Sequence, residues 1–265
     1  IREWTPKLAR RLGVVGLLNM QYAVMPDGTP YIIEANPRAS RTVPFVSKAI
    51  GHPLAKYASL VMAGQSLEEI GFMQEPITKH ISVKEAVLPF DKFLGCDTLL
   101  GPEMRSTGEV MGIDFDFERA YCKAQIAAGQ KLPKSGKVFI SVKNSDKEAM
   151  VPVAKNLVDM GFEILSTGGT ATTLESAGIK VTKVKKIHEG RPSIGDILRD
   201  GDLKLMFVTS SGDANDLTDG RELRRTAVGL KVPICTTVAG IKATAGSLKI
   251  LQEGNLQMQA LQDFF

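Results

Sequence analysis

The run Ser166-Thr167-Gly168-Gly169-Thr170 places hydroxyls and two bare backbone positions between the apolar Phe162, Ile164 and Leu165 and the stretch 171–177. A strand that turns through glycines into a helix presents backbone N–H groups that have no internal acceptor. The helix dipole adds positive charge at the same point. Gly168 and Gly169 allow close approach of an anion, and the hydroxyls of Ser166, Thr167 and Thr170 can donate to it. Phosphate binding and ordinary strand-to-helix turn chemistry both suit this motif. A second group comprises Gln21, Glu34, Asn36, Arg38 and Arg41. A side-chain amide opposite a carboxylate supplies the few oxygen ligands that Mg²⁺ takes up together with nucleotide phosphates. The two arginines suit bidentate binding of a phosphoryl group or carboxylate. A solvated hairpin with surface charges is the competing reading of these residues.

Positioning these groups requires particular elements. For the second group it is a hairpin: β-rich residues 14–25, a turn at Pro26-Asp27-Gly28-Thr29-Pro30, and a returning strand over 31–35. A helix over 2–12 precedes it, with Trp4, Leu8 and Leu12 at four-residue spacing and Gly13 as its stop. Helices over 54–63 and 66–70, strands over 80–88 and 106–114, and an amphipathic helix over 117–128 follow. Residues 129–136, polar with one proline and two glycines, read as a linker. Beyond it strands (137–142, 162–165, 181–184, 205–208, 234–236) alternate with helices (146–160, 170–177, 193–199, 217–230, 241–251). That alternation predicts an open five-stranded parallel sheet, whose ligands bind outside the carboxyl ends of the strands.

The same strand ends gather the first group and more. Ser141 ends one strand; Thr167 and Thr170 follow the next. Lys185, Lys186, His188 and Arg191 follow the third, and Thr209-Ser210-Ser211-Gly212 the fourth. Ser145 and Glu148 read as a capping box, with Lys147 in the first turn of its helix, where a bound anion would offset the unfavourable dipole. Pro152 is expected to kink that helix or delay its start. Gly178 is placed to end the helix after the glycine turn. Thr170 and Lys186 are expected to be exposed at the sheet edge. Capping and solvation alone would also use these groups.

Composition narrows the function. The chain has 265 residues, of which 43% are hydrophobic and 23% charged, with a net charge of +4. This is globular composition for one or two domains. Charges of both signs are interspersed, which suits a small anionic ligand and not the basic stripe of a nucleic-acid binder. No apolar run approaches the roughly eighteen residues of a membrane span. Cys96, Cys122 and Cys235 are scattered and read as reduced thiols of a cytoplasmic protein. With His52, His80 and His188 isolated, a Cys/His metal site is not expected.

The stretch IIEANPRASRTVPFVSKAIGHPLAKYASLVMAG, Ile32 to Gly64, resembles the last part of an ATP-grasp domain, more narrowly that of the carbamoyl-phosphate synthetase large chain. LLGPEMRSTGEVMG, Leu99 to Gly112, is similarly close to that family. The resemblance implies that Glu34 and Asn36, with Gln21, hold the Mg²⁺ or Mn²⁺ ions bridging ATP phosphates, and that Arg38 and Arg41 lie near the phosphoryl acceptor as catalytic residues. It further implies MgATP-dependent phosphorylation of carbamate in arginine and pyrimidine synthesis, and two partners: the rest of the large chain and a glutamine amidotransferase small chain. The lid, adenine pocket and phosphate-gripping residues of an ATP-grasp domain have no counterpart here. The expectation is therefore a C-terminal fragment, inactive alone, with exposed apolar surface.

The second half resembles the methylglyoxal synthase-like domain. STGGTA, Ser166 to Ala171, is shared across that superfamily, and KIHEGRPSIGD, Lys186 to Asp196, is closer to the regulatory domain of the same synthetase. The lyase carries its catalytic Asp in a Gly-Gly-Asp-Gln-Gln run; here Glu189-Gly190-Arg191-Pro192 stands instead, which argues against lyase chemistry. The resemblance implies an allosteric pocket for a small anionic effector, a nucleotide monophosphate or an amino-acid derivative, although Val208 is apolar where a base- or ribose-reading group would help. The candidate effector residues are Ser141, Lys147, Thr167, Gly168, Gly169, Thr170, Lys186, Arg191, Thr209 and Ser210. The expected architecture is α/β: residues 1–130, a partial ATP-grasp α+β domain, then 131–265, an open, Rossmann-type parallel sheet. A stand-alone phosphate-ester lyase and a non-catalytic ligand-binding regulator are the alternatives.

Overall fold

The computed structural model describes residues 1–88, 90, 107–210, 214–254 and 256–265. Cys96, Ser211, Gly212 and the 99–106 part of the Leu99–Gly112 stretch lie outside them. The chain forms two compact units, residues 1–80 with 258–265, and residues 81–257.

In the first unit, α1 (Trp4–Arg11) leads into the hairpin of β1 (Asn19–Val24) and β2 (Pro30–Asn36). The antiparallel register sets Gln21 opposite Glu34 and Asn19 opposite Asn36, with a bulge between Gln21 and Tyr22. Helices α2 (Thr42–Ile50), α3 (Leu54–Met62) and α4 (Leu67–Ile70) follow. α4 is opened by Ser66, whose hydroxyl accepts from the Glu69 amide while the Glu69 carboxylate accepts from the Ser66 amide. Tyr31, Ile32 and Ile33 are all exposed on β2, matching the expected apolar surface.

The second unit begins with the antiparallel pair β3 (Ile81–Val87) and β4 (Gly108–Asp114), against which α5 (Phe117–Ala127) packs. The approach is close at Gly112, where any Cβ would run into the Ala120 carbonyl oxygen. Residues 129–136 therefore lie within this unit and do not separate the two compact units. The parallel sheet then forms from β5 (Lys137–Ser141), β6 (Glu163–Ser166), β7 (Thr182–Lys183), β8 (Leu203–Val208) and β9 (Ile234–Cys235), in the order β7-β6-β5-β8-β9. Every pairing in it is parallel. The crossovers are α6 (Lys147–Asp159), α7 (Gly168–Ser176), α8 (Ile194–Arg199) and α9 (Ala214–Gly229), and α10 (Val238–Glu253) follows β9.

The side-chain period of two divides the core. Val138 and Ile140 of β5 join Leu157, Leu174, Ile241 and Leu248 in one cluster. Phe139, between them, joins Leu198, Met206 and Leu223 in the other. α7 ends in a Schellman motif: Gly178, at φ +78°, donates to the Glu175 carbonyl, and Ile179 to that of Leu174. The expected Ser145–Glu148 capping box does not form. A short 3-10 turn, Asn144–Asp146, takes its place, and the Ser145 hydroxyl bonds the Asp146 carboxylate. Pro152 sits inside α6, late enough for a full turn to precede it.

Candidate functional site

The carboxyl ends of β5, β6 and β8 open onto a cavity of about 520 Å³. β6 runs straight into α7, which begins at Gly168, so the glycines form its first turn. The helix therefore starts two residues earlier than expected, and the N–H groups of its opening residues lie at the cavity. Thr167 precedes it in extended conformation. Lys147, the first residue of α6, reaches across until its Nζ would stand 2.6 Å from a Cβ placed on Gly169. Glycine at 169 is thus what lets an ammonium lie against the start of a helix. Two positive features face the same space, an arrangement that costs free energy until an anion enters.

The hydroxyls divide into two kinds. Ser141 Oγ and Thr167 Oγ1 are 2.7 Å apart. Two protons serve that pair and one bridges it, so one O–H remains for a ligand. The other expected donors are committed to the protein. Thr170 is only 2% exposed, not at the surface as expected, and its hydroxyl accepts from the Val142 amide and donates to the Val142 carbonyl. It clamps α7 to the end of β5. Ser166 turns its hydroxyl into the sheet, onto the Ile140 carbonyl. Thr209 accepts from the Lys143 amide and donates to Asp146. These three hold the rim in place.

Of the expected effector residues, Ser141, Lys147, Thr167, Gly169, Thr170, Lys186, Thr209 and Ser210 line the cavity. Gly168 adjoins it through the helix start. Arg191 does not line it: its guanidinium donates to Asp196 and its side chain is 83% exposed. Asp196 carries the electrostatic consequence. The Arg191 guanidinium first, then the Ser193 amide, hold its carboxyl at about 2, below the usual 3.8.

Sequence reasoning missed Lys143, Asn144, Asp219 and Arg224, which also line the cavity. Asp219 is buried and accepts from the His188 amide and from its ring Nδ1 at 2.8 Å. Arg224, 3% exposed, reaches the cavity from the next turn of α9. The signal available was the spacing of Asp219, Gly220, Leu223 and Arg224, which puts them along one helix face. Nothing local says that this face meets the ends of β5 and β6. Among the described residues, Lys143, Lys147, Lys186 and Arg224 line the cavity against one carboxylate, Asp219, so this described lining is cationic.

In the first unit, the hairpin register brings Gln21 and Glu34 together, and Asn36 Nδ2 donates to Glu34 Oε1 at 2.8 Å. Arg38 donates to the Ala39 carbonyl, and Arg41 immediately precedes α2. The candidate ligand atoms of Gln21, Glu34 and Asn36 are hard oxygens of the kind Mg²⁺ takes up, with one carboxylate among them. No group of three or more His, Cys, Asp or Glu side chains among the described residues could hold a metal. The set fits a divalent ion that takes its remaining ligands from phosphates and water, and not an all-protein cage. No helix among the described residues is long and apolar enough to cross a membrane.

Two family models match the chain: "Carbamoyl-phosphate synthase L chain, ATP binding domain" over residues 1–70, and "MGS-like domain" over residues 149–236. Curated relatives align over all 265 residues. The arginine-specific carbamoyl phosphate synthase large chains of Oryza sativa subsp. japonica and Arabidopsis thaliana, both named chloroplastic, are each 58% identical. The carbamoyl phosphate synthase large chain of Synechocystis is 56% identical. The chain spans 23, 22 and 24% of those three proteins' lengths.

Proposed function

The chain belongs to the carbamoyl phosphate synthase large-chain family, related to its C-terminal region, and on that premise we propose that its second unit is an allosteric module binding a small phosphorylated effector. The observation carrying this reading is the Lys147 ammonium held over Gly169 at the start of α7. An anion there gains helix N–H donors, a lysine charge and the free proton of the Ser141–Thr167 pair. Nucleotide monophosphates suit the cavity's size and charge, with Asp219 facing the donors of a sugar; acidic amino-acid derivatives are the second class to test. Arg191, directed onto Asp196, supplies neither a general base nor a pocket cation, so binding without lyase chemistry is the reading favoured.

We propose for the first unit a share in ATP use by a glutamine-dependent, carbamoyl phosphate-forming ligase of arginine and pyrimidine synthesis. Gln21, Glu34 and Asn36 would hold Mg²⁺ or Mn²⁺ on ATP phosphates, and Arg38 and Arg41 would bind the transferring phosphoryl group. When bound, the ion supplies charge neutralisation at the phosphates. The rest of the large chain would cover Tyr31, Ile32 and Ile33, and a glutamine amidotransferase small chain would supply ammonia. The proposed compartment is the cytoplasm; a division at residue 130 is proposed for the two family domains, whereas the compact units divide at 80/81 and 257/258.

Calorimetric titration of the chain with inorganic phosphate, nucleotide monophosphates and acidic amino-acid derivatives tests the effector reading. At least one should bind with a stoichiometry of about one. Absence of binding across the panel, or release of an aldehyde from dihydroxyacetone phosphate, would overturn it. Glu34→Gln in a complete large chain tests the metal assignment: kcat should fall about a hundredfold, and an unchanged value removes Glu34 from the site.

A further inference from the structure

The chain crosses between its two compact units twice, at 80/81 and at 257/258. The first crossing ends on His80, which with Ala49 is among the few buried residues of the first unit. The second delivers a short segment, 258–265, that closes on the same residue. The rings of Phe264 and Phe265 each stand 5.5 Å from the His80 imidazole, edge-on at 74° and 82°. His80 Nε2 in turn lies 2.7 Å from the Ala49 carbonyl oxygen, a bond in which the ring nitrogen is the donor. That carbonyl is in the last turn of α2, where helix geometry leaves it without an internal partner. Phe265 also covers Gly51, the residue that ends α2 at φ +72°, so closely that a Cβ there would come within 2.7 Å of the ring.

We propose that residues 258–265 form a strap whose phenyl rings pin His80 against the end of α2, tying both chain crossings to one point and setting the position of that helix. The opposite end of α2 follows Arg41 directly, so Phe264, Phe265 and His80 act as positioning residues for the arginine-bearing segment. Phe265 remains 58% exposed. Only part of its ring is withdrawn from water, so the strap is held more weakly than a core element and can open without unfolding the unit. The polar contact and the ring contacts converge on one imidazole, which makes release of the strap a local event at α2.

Hydrogen exchange on the full chain tests this. In Phe264→Ala/Phe265→Ala, the amides of residues 46–52 should exchange about tenfold faster or more, while those of β1 and β2 keep their rates. Phe264→Leu/Phe265→Leu should restore most of the protection, since it returns apolar volume. His80→Ala should reproduce the local effect with both rings present. Unchanged exchange in α2 would overturn the proposal, because the segment then holds nothing. Equal acceleration in α2 and the hairpin would also overturn it, by making the segment part of a common core. If the double variant does not fold, Phe265→Ala decides by the same two outcomes, as its exposed ring makes global unfolding of the single variant unexpected.

Discussion

At the scale of residues, the hydroxyls of this protein are divided between structure and binding, and substitution should separate the two. Thr170→Val removes both bonds to Val142 and leaves a buried N–H and C=O unpaired. We expect a loss of about 1–3 kcal/mol in urea unfolding, with Thr170→Ser close to wild type. Lys147→Met keeps the stem and removes the charge. It should leave stability nearly unchanged and weaken phosphate binding roughly tenfold or more, as expected for one charge-assisted hydrogen bond. An unaltered affinity would place the ligand elsewhere. Asp196 predicts a pH effect. Its carboxyl is depressed in the folded state, to about 2 from 3.8, so the Arg191–Asp196 contact contributes fully above the unfolded value and is lost as pH falls through the folded one. Asp196→Asn should flatten the stability profile between about pH 4 and pH 2, measured by thermal scans in that range.

At the scale of elements, the tightest constraint is where α5 lies on β4. Gly112 meets the Ala120 carbonyl oxygen and, 2.5 Å from its missing Cβ, the Ala124 amide nitrogen. Both obstacles are helix backbone, which cannot swing aside as a side chain would. Gly112→Ala should therefore destabilise by about 3 kcal/mol, the upper end of overpacking costs. Gly168→Ala is the contrasting case: space is open there and the residue begins a helix, so denaturant midpoints should be equal to or above wild type. A large loss at Gly168 and none at Gly112 would reverse this account of which glycines are sterically required. The largely buried ion pair of Lys123 with Asp114, 2.8 Å, fixes the same helix from its side, with Lys123 also donating to the Ile113 carbonyl.

At the scale of the whole molecule, the two units carry different kinds of surface. The second has a two-sided core around a parallel sheet and a formed, cationic cavity. The first exposes Tyr31, Ile32 and Ile33 together on a hairpin. We therefore expect the 265-residue chain to bind its effector but to show no ATP turnover and no carbamoyl phosphate synthesis, assayed with ATP, bicarbonate and ammonia; measurable turnover would overturn the reading of the first unit. Binding should be visible in the melting of the second unit. A ligand at one hundred times its dissociation constant adds about 2.7 kcal/mol to the state that binds it. The transition assigned to residues 81–257 should rise with ligand while that of the first unit stays in place.

Local rules carried much of this structure. The alternation of apolar runs and helical stretches after residue 136 marked all five strands of the sheet, because side-chain period and turn residues are properties of neighbours in the chain. The same applies to the helix stop at Gly178 and to the hairpin that opposes Gln21 and Glu34. Tertiary structure alone decided the order β7-β6-β5-β8-β9, and with it which strand ends share a cavity. It turned the Thr170 hydroxyl inward, since Val142 offered both a donor and an acceptor where β5 lies beside β6. It brought Asp219 and Arg224 to a cavity otherwise built from strand ends and the helix starts beside them, and it returned residues 258–265 to the first unit. Each of these depends on contacts between distant segments, whose partners are chosen by packing the whole chain and leave no periodic trace in the local sequence.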